Sequence, residues 1–125
     1  MTDAIDPRAI AAGLTELWSP RVVAEVDDHY VKVAKVHGVL DWHRHADEDE
    51  LFLVLQGRLR LDFENGNAVV LEPGTFHVVP KGVLHQPVAE DECLLMLFER
   101  KATRHTGDTV GAYTRSIEDQ LRPID

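Results

Sequence analysis

Strand-like apolar patterns dominate the chain between residues 21 and 100. RVVAEV and YVKVAKV are β-branched runs separated by DDH, and GVLDWHRH follows them. ELFLVLQGRLRLDF predicts two strands about a turn at Gln56-Gly57, and ENGN before AVVL predicts a hairpin because Asn-Gly readily adopts positive φ. ECLLMLFER predicts a last long strand. Strands at this regular spacing predict an all-β protein, folded as a closed or two-sheet barrel.

Two of these strands are apolar at consecutive positions, in LFLVL and LLMLF. Both of their faces must therefore be covered, one by the lumen of the barrel and the other by a second sheet or a partner subunit. Side chains two apart share a face of a strand, so Phe52 and Val54 are expected to line the lumen together with Glu50. The apolar surface left over on the outside favours a homodimer.

The two ends of the chain differ from the strand-rich middle. Asp6 is a good N-cap and Pro7 suits the first position of a helix, which RAIAAGLTELW continues until the Ser-Pro pair that follows it. Near the other end no periodicity is sustained, although SIEDQL is consistent with a short helix. The sequence thus divides into an N-terminal helical segment (1–20), a β-barrel (21–100) and an irregular C-terminal tail (101–125).

Composition limits the classes of partner. The 125-residue chain is 44% hydrophobic and 28% charged, which is typical of one folded domain. Its net charge of -9 argues against nucleic acid and membranes as partners, because both need clustered Lys and Arg. The apolar runs are far too short to span a bilayer, and MTDAIDPRA shows no secretory signal. Cys93 is the single cysteine, so we expect a buried thiol in a cytoplasmic protein.

Candidate chemistry is concentrated in WHRHADEDELFLVLQG. If this segment is a strand, His43 and His45 project from the same face, because they are two residues apart. Glu50 opens the next strand, and an antiparallel neighbour would bring it back beside the histidines. The three preceding acids (47–49) are most simply interpreted as a solvated turn. A His-X-His pair alone is a weak signal, so other residues have to join it.

A second segment, PGTFHVVPKGVLHQP, carries a further histidine. Gly74 and Gly82 mark turns, and the strand after them begins near His85. A closed barrel can carry His85 across from the first segment, so that three imidazoles and the Glu50 carboxylate converge. Such a nitrogen and oxygen set suits a divalent transition metal such as Fe, Mn, Ni, Zn or Cu. The remaining histidines have no matching partner and are expected to be structural or surface residues: His29, His37, His77 and His105.

Both segments resemble the two motifs of the cupin family. The first motif is His-X-His, four residues, Glu, six residues, Gly, and the matching residues are His43, His45, Glu50 and Gly57. The second is Gly, five residues, Pro-X-Gly, two residues, His, and the matching residues are Gly74, Pro80, Gly82 and His85. Gly38 stands one residue closer to the first motif than is usual, and Ala89 replaces an Asn. The resemblance implies a small antiparallel jelly-roll barrel with a metal in its lumen, commonly dimeric.

Two classes of function stay open. Proteins that this chain resembles include isomerases, dioxygenases and decarboxylases, which implies a lumen metal that acts on an oxygen-rich, sugar-like or acid-like small molecule. A phosphomannose isomerase-like activity is a weaker alternative, because the sequence shows no cluster of Lys or Arg near the ligands to hold a phosphate. Lys81 is the closest candidate in the second motif. The other class is a non-catalytic sensor or carrier of a sugar or other small ligand. No catalytic residue beyond the ligands can be assigned.

Overall fold

Seven strands between Arg21 and Arg100 form the body of the structure, a computed structural model that describes residues 3–104, 106–107 and 109–124. The strands are β1 (Arg21–Val26), β2 (His29–Val39), β3 (Glu50–Gln56), β4 (Leu59–Phe63), β5 (Ala68–Leu71), β6 (Phe76–Val79) and β7 (His85–Arg100). The helices are α1 (Pro7–Ala12) and α2 (Ile117–Gln120). In the described part of the chain neither helix has the length and apolarity to cross a bilayer. The prediction of an all-β fold with little helix is confirmed.

Strand β7 joins the two layers of the jelly roll. The larger layer has the order β1-β2-β7-β3-β6, and all of its pairs are antiparallel. The first residues of β7 pair instead with β4, and β4 pairs with β5. Strand β2 follows β7 over both regions, with a register shift between Val36 and Gly38. One continuous strand therefore passes from one layer to the other and closes the small barrel.

The turn after β3 depends on Gly57. This residue has φ of +86°, and a Cβ atom added there would lie 2.7 Å from the backbone oxygen of Glu92. Any other residue would be strained by its backbone and would also collide with β7. Gly57 thus allows the chain to leave one layer while staying packed against the long strand.

The lumen is filled by the inward side chains of the strands. Phe52 and Val54 are buried there, 4% and 0% exposed, as their shared parity with Glu50 predicts. Cys93 is also buried, and burial raises the pKa of its thiol to about 12. The cysteine is therefore an inert part of the core, in agreement with the sequence.

Helix α1 covers part of the outer face of the larger layer. Its Ala11, followed by Leu14, packs against Val33 of β2 and Leu94 of β7. These four side chains form a second, smaller core outside the barrel. Part of the outer apolar face is thus covered by a helical segment, whereas the sequence analysis expected a second sheet or a partner subunit there.

The helix is shorter than predicted. It ends at Ala12 with Gly13 as its C-cap, whereas the sequence pattern continued it to Trp18. Trp18 has φ of 55°, its backbone N–H donates to the oxygen of Lys35, and its indole N–H donates to the oxygen of His37. The large aromatic ring gains more by entering the barrel core than by extending a surface helix, because its burial removes a large apolar area from water.

The C-terminal tail, predicted to be irregular, is packed against the rest of the protein. The short helix α2 is confirmed, with Ser116 as its N-cap. However, Thr103, Thr106 and Gln120 are fully buried, so the tail packs onto the barrel. His105, which was predicted to be a structural or surface residue, lies outside the described residues, as does Asp108.

Candidate metal centre

The connection between β2 and β3 carries the histidine pair. His43 forms a single two-way bridge with His85, through hydrogen bonds of 3.0 and 2.9 Å between their backbone groups. The backbone oxygen of His45 accepts a 2.7 Å hydrogen bond from the N–H of Gly82. The prediction that both histidines lie on a strand is therefore wrong, because the connection pairs at only one residue. These contacts nevertheless hold it against the turn before β7.

Glu50 is fixed by strands on both sides. It is the first residue of β3, and it stands opposite Val79 of β6 and Glu99 of β7. The neighbouring acid Asp49 is exposed, but its carboxylate accepts a 2.9 Å hydrogen bond from the backbone N–H of Lys81. Asp49 is thus not a free member of a solvated turn, since it ties the first segment to the second.

The four candidate residues meet inside the barrel. One donor atom from each of His43, His45, Glu50 and His85 lies within 4.8 Å of all the others. Nε2 of His45 is 3.1 Å from Oε1 of Glu50, and Nε2 of His85 is 3.6 Å from the same oxygen. All four side chains are buried, with at most 5% of any residue exposed.

Hydrogen bonds determine which ring nitrogens carry protons. Nδ1 of His43 donates to the backbone oxygen of Asp41 at 2.8 Å, and Nδ1 of His85 donates to that of Val83 at 2.9 Å. Because a carbonyl oxygen only accepts, the proton of each ring lies on Nδ1, and the lone pair of Nε2 is free whenever the ring is neutral. Burial lowers the pKa of His43 to about 4, so this ring is neutral at pH 7.

The carboxylate of Glu50 remains charged despite its burial. Burial alone would raise its pKa, but the adjacent imidazoles of His45, at 3.1 Å, and of His85, at 3.6 Å, outweigh that effect and hold the pKa well below its usual range. For the adjacent Glu99, burial and the charge of Glu50 raise the pKa well above its usual range, against the opposite influence of Lys32. The centre therefore contains one fixed negative charge among three imidazoles.

This donor set fits a divalent transition metal. The Nε2 atoms of His43 and His85 are buried without a hydrogen-bond partner among the described residues, which is costly unless something else occupies their lone pairs. Histidines that bind metals through Nε2 commonly donate their other N–H to a backbone carbonyl, as both rings do here. Three imidazoles and a carboxylate could hold such an ion.

The family is decided by a comparison with family models. The model described as a cupin domain matches residues 29–98, which is more than half of the chain. The chain belongs to the cupin family. The curated "Uncharacterized protein YdbB" of Bacillus subtilis (strain 168) is 41% identical to this cupin over 78 residues, which cover 62% of this chain and 69% of that protein.

Solved structures agree with this assignment. A cupin-2 domain containing protein from Shewanella frigidimarina NCIMB 400 superposes with a TM-score of 0.73 at 41% identity, covering 77% of this chain and 93% of the other. Protein NMB1881 from Neisseria meningitidis superposes with a TM-score of 0.71 at 28% identity, covering 78% and 99% respectively. The predicted cupin resemblance is confirmed.

The surroundings of the cupin centre are mostly apolar. A cavity of about 20 Å³, room for roughly one water molecule, adjoins His43 and Glu50 and is otherwise lined by side chains such as Trp18, Phe52 and Leu97. On another side, an open depression of about 360 Å³ reaches His45 from the surface. The centre therefore has an apolar side and a side with charged residues that faces solvent.

Three buried polar residues that contact one another were missed by the sequence analysis of this cupin. Lys32, Glu99 and Gln120 are all fully or almost fully buried. Two of them were detectable, because Lys32 shares the inward parity of Ala34 in β2, and Glu99 shares that of Leu97 in β7. Gln120 carried no comparable signal, since it lies in the short C-terminal helix.

Proposed function

We propose that this cupin binds one divalent transition metal ion per chain through His43, His45, Glu50 and His85, and that the loaded centre acts on a small oxygen-bearing molecule. The observation that carries the proposal is the pair of buried Nε2 lone pairs on His43 and His85, which have no hydrogen-bond partner among the described residues. Fe, Mn, Ni, Zn and Cu are all compatible with three imidazoles and one carboxylate.

The roles of the protein groups follow from their protonation. Glu50 supplies the negative charge that attracts a cation. The ring of His43 is already neutral, so it can bind a metal without first losing a proton. When bound, such an ion acts as a Lewis acid that polarises an oxygen atom of a ligand or of water. Four protein ligands leave open positions only at a five- or six-coordinate ion, and these are the positions available to a small molecule.

The charges around the site limit the classes of small molecule that could bind there. The depression beside His45 contains Arg44 and Arg104 as well as Asp47 and Glu48, so it carries both signs of charge. A small sugar-like or acid-like molecule that reaches the centre from this side would meet both positive and negative side chains with which its oxygen atoms and hydroxyl groups can form hydrogen bonds. A phosphate fits the site less well, since Asp47 and Glu48 offset the charges of the two arginines, and Lys81 lies in an exposed turn.

A non-catalytic sensor is the second candidate function. The observation that favours it is the apolar side of the centre, where the described residues that line a cavity of about 20 Å³ include no titratable group besides the ligands His43 and Glu50. No separate acid and base pair faces a bound molecule there. Turnover separates the two functions: a metal-loaded protein that binds sugars or small acids without converting them is a sensor.

Purified protein is expected to contain about one divalent ion per chain. The reason is that the four donor atoms lie within 4.8 Å of one another and form one site. Metal analysis by mass spectrometry, before and after stripping and reloading, measures the ratio. The His77→Ala variant is a matched control, because His77 lies on β6 outside the cluster and should retain the full ratio. A reloaded wild-type protein with no bound metal would refute the proposal.

We also propose a homodimer formed through the outer face of the larger layer. Helix α1 covers only the part around Val33 and Leu94. Beyond it, two apolar rows cross β7, β3 and β6: Phe98, Leu51 and Val78, and next to them Met96, Leu53 and Phe76. Phe76 and Val78 are 60% and 40% exposed, which is unusual for neighbouring apolar side chains on a sheet. A second copy of the same face would cover both rows.

The protein is expected to be dimeric at micromolar concentration. Replacing Phe76 with Glu should weaken the dimer at least tenfold, because it places a charge in the middle of an apolar interface. Light scattering and sedimentation measure the dissociation constant. Val110→Glu is the control, since Val110 is 75% exposed and lies in the tail. A wild-type monomer, or an unchanged constant for Phe76→Glu, would contradict this interface.

A further inference from the structure

A buried ionic network lies behind Glu50. Nζ of Lys32 is 2.8 Å from Oε1 of Glu99, and both side chains are 0% exposed. The same Nζ donates a 2.6 Å hydrogen bond to Oε1 of Gln120. Gln120 in turn donates from its side-chain amide to the backbone oxygen of Arg115 at 3.0 Å. The network thus connects β2, β7 and the C-terminal segment around α2.

Stability alone does not account for this network. Removing two charges from water costs several kcal/mol per ion, and well-packed apolar residues in their place are often equally stable or more stable. The neighbouring inward positions show this alternative, because Ala34 of β2 and Leu95 and Leu97 of β7 fill the same lumen without charge. Lys32 and Glu99 therefore call for an explanation outside core packing.

The position of Lys32 and Glu99 next to a ligand of the metal centre offers an explanation for their presence. Glu99 stands directly opposite Glu50 on the adjacent strand, and both side chains point into the lumen. Side chains at directly opposite positions have Cβ atoms about 4.5–5.5 Å apart, so the two carboxyl groups are neighbours on the inner face of the sheet. Lys32 reaches Glu99 from β2, which pairs with β7 along the edge opposite to β3. The series of contacts accordingly runs from Gln120 through Lys32 and Glu99 to Glu50.

We propose that Lys32, Glu99 and Gln120 are positioning residues that hold the Glu50 carboxylate in its ligating orientation, and that they couple the C-terminal segment to metal affinity. The inference rests on the metal binding proposed above. Groups that orient a ligand from behind commonly alter metal affinity by about 10–100-fold when they are lost. Lys32 also fixes the second carboxyl group through the 2.8 Å contact with Glu99, so that this group keeps a defined place beside Glu50.

The decisive variant replaces the ion pair with apolar residues of similar size, Lys32→Met combined with Glu99→Leu. If the pair is only structural, this double variant keeps the affinity and the geometry of the metal site. If it positions Glu50, affinity should fall about 10–100-fold and the visible absorption bands of the Co²⁺-loaded protein should shift. Chelator competition measures the affinity, and thermal unfolding of the metal-free proteins verifies that the fold is retained.

Two further variants keep the test interpretable. Lys35→Met is the matched control, because Lys35 lies on the same strand but its Nζ donates outside the lumen to the backbone oxygen of Ala12. Gln120→Met removes the contact from α2 while retaining the ion pair, so it gives a result even if the double variant does not fold. Its affinity should fall by more than that of Lys35→Met.

Failure of the positioning role and failure of the proposed metal binding give different experimental results. Wild-type affinity and an unchanged Co²⁺ spectrum in a folded double variant, or in Gln120→Met when the double variant does not fold, would overturn the positioning role. A wild-type protein that binds no metal would instead overturn the proposed function, because then there is no ligand to position.

Discussion

Replacement of His43 and His45 together by alanine is expected to abolish stoichiometric metal binding and to leave the barrel folded. The variant retains only Glu50 and His85 of the four ligands, and two donors do not hold a divalent ion against dilution and chelators. The fold should persist because the lumen core is built from apolar strand residues rather than from the histidines. Metal analysis gives the stoichiometry, and circular dichroism with thermal unfolding reports on the fold.

The appropriate control also removes two imidazoles. His37→Ala combined with His77→Ala changes the same number of histidines at positions outside the cluster, so the metal ratio should be unchanged. One ion per chain in the His43 and His45 double variant would show that the metal is bound elsewhere, and the assignment of the centre would be lost.

The second large effect is expected at Glu50. Glu50→Gln removes the one fixed negative charge of the centre while preserving the shape of the side chain. Metal affinity should therefore weaken by about 1–3 kcal/mol, the scale of a lost charge-assisted contact. Asp47→Asn and Glu48→Gln remove equal charges from the connection, and each should change affinity by less than about 0.5 kcal/mol because solvent screens them. Titration of the variants with the same metal provides the comparison.

Asp49→Asn is expected to lie between these extremes. The Asp49 carboxylate accepts the hydrogen bond from Lys81 N–H and so helps to hold the turn that precedes His85. Its loss should loosen one ligand without removing any. If Asp47→Asn or Glu48→Gln cost more than Glu50→Gln, the register of β3 would not determine which acid binds the metal.

The strands and the register of Glu50 could be predicted, because both depend on local patterns. Alternation in ELFLVLQ places Glu50, Phe52 and Val54 on one face, and the structure has all three buried. The course of the chain around His43 and His45 could not be predicted in the same way. A connection held by one bridge and a few backbone hydrogen bonds has no periodicity to recognise, and its partners lie some forty residues further along the chain.

The ends of the chain show a similar limit. The pattern in RAIAAGLTELW is compatible with a longer helix, and only the three-dimensional barrel gives Trp18 a better environment. Likewise, the tail carries Thr103 and Gln120 as ordinary polar residues whose burial depends on distant partners such as Lys32. Local propensity identifies such segments poorly when tertiary contacts determine their structure.

The long strand β7 has a consequence for how the centre assembles in time. His85 is its first residue, and its pairs with β2 and β3 join segments that are far apart in sequence. Contacts of that kind are slow to form, since the chain must close large loops before the pairing repays the lost entropy. The three histidines come together only after β7 has docked. An ion that binds the completed centre therefore prolongs the lifetime of the folded state and leaves the rate of folding almost unchanged.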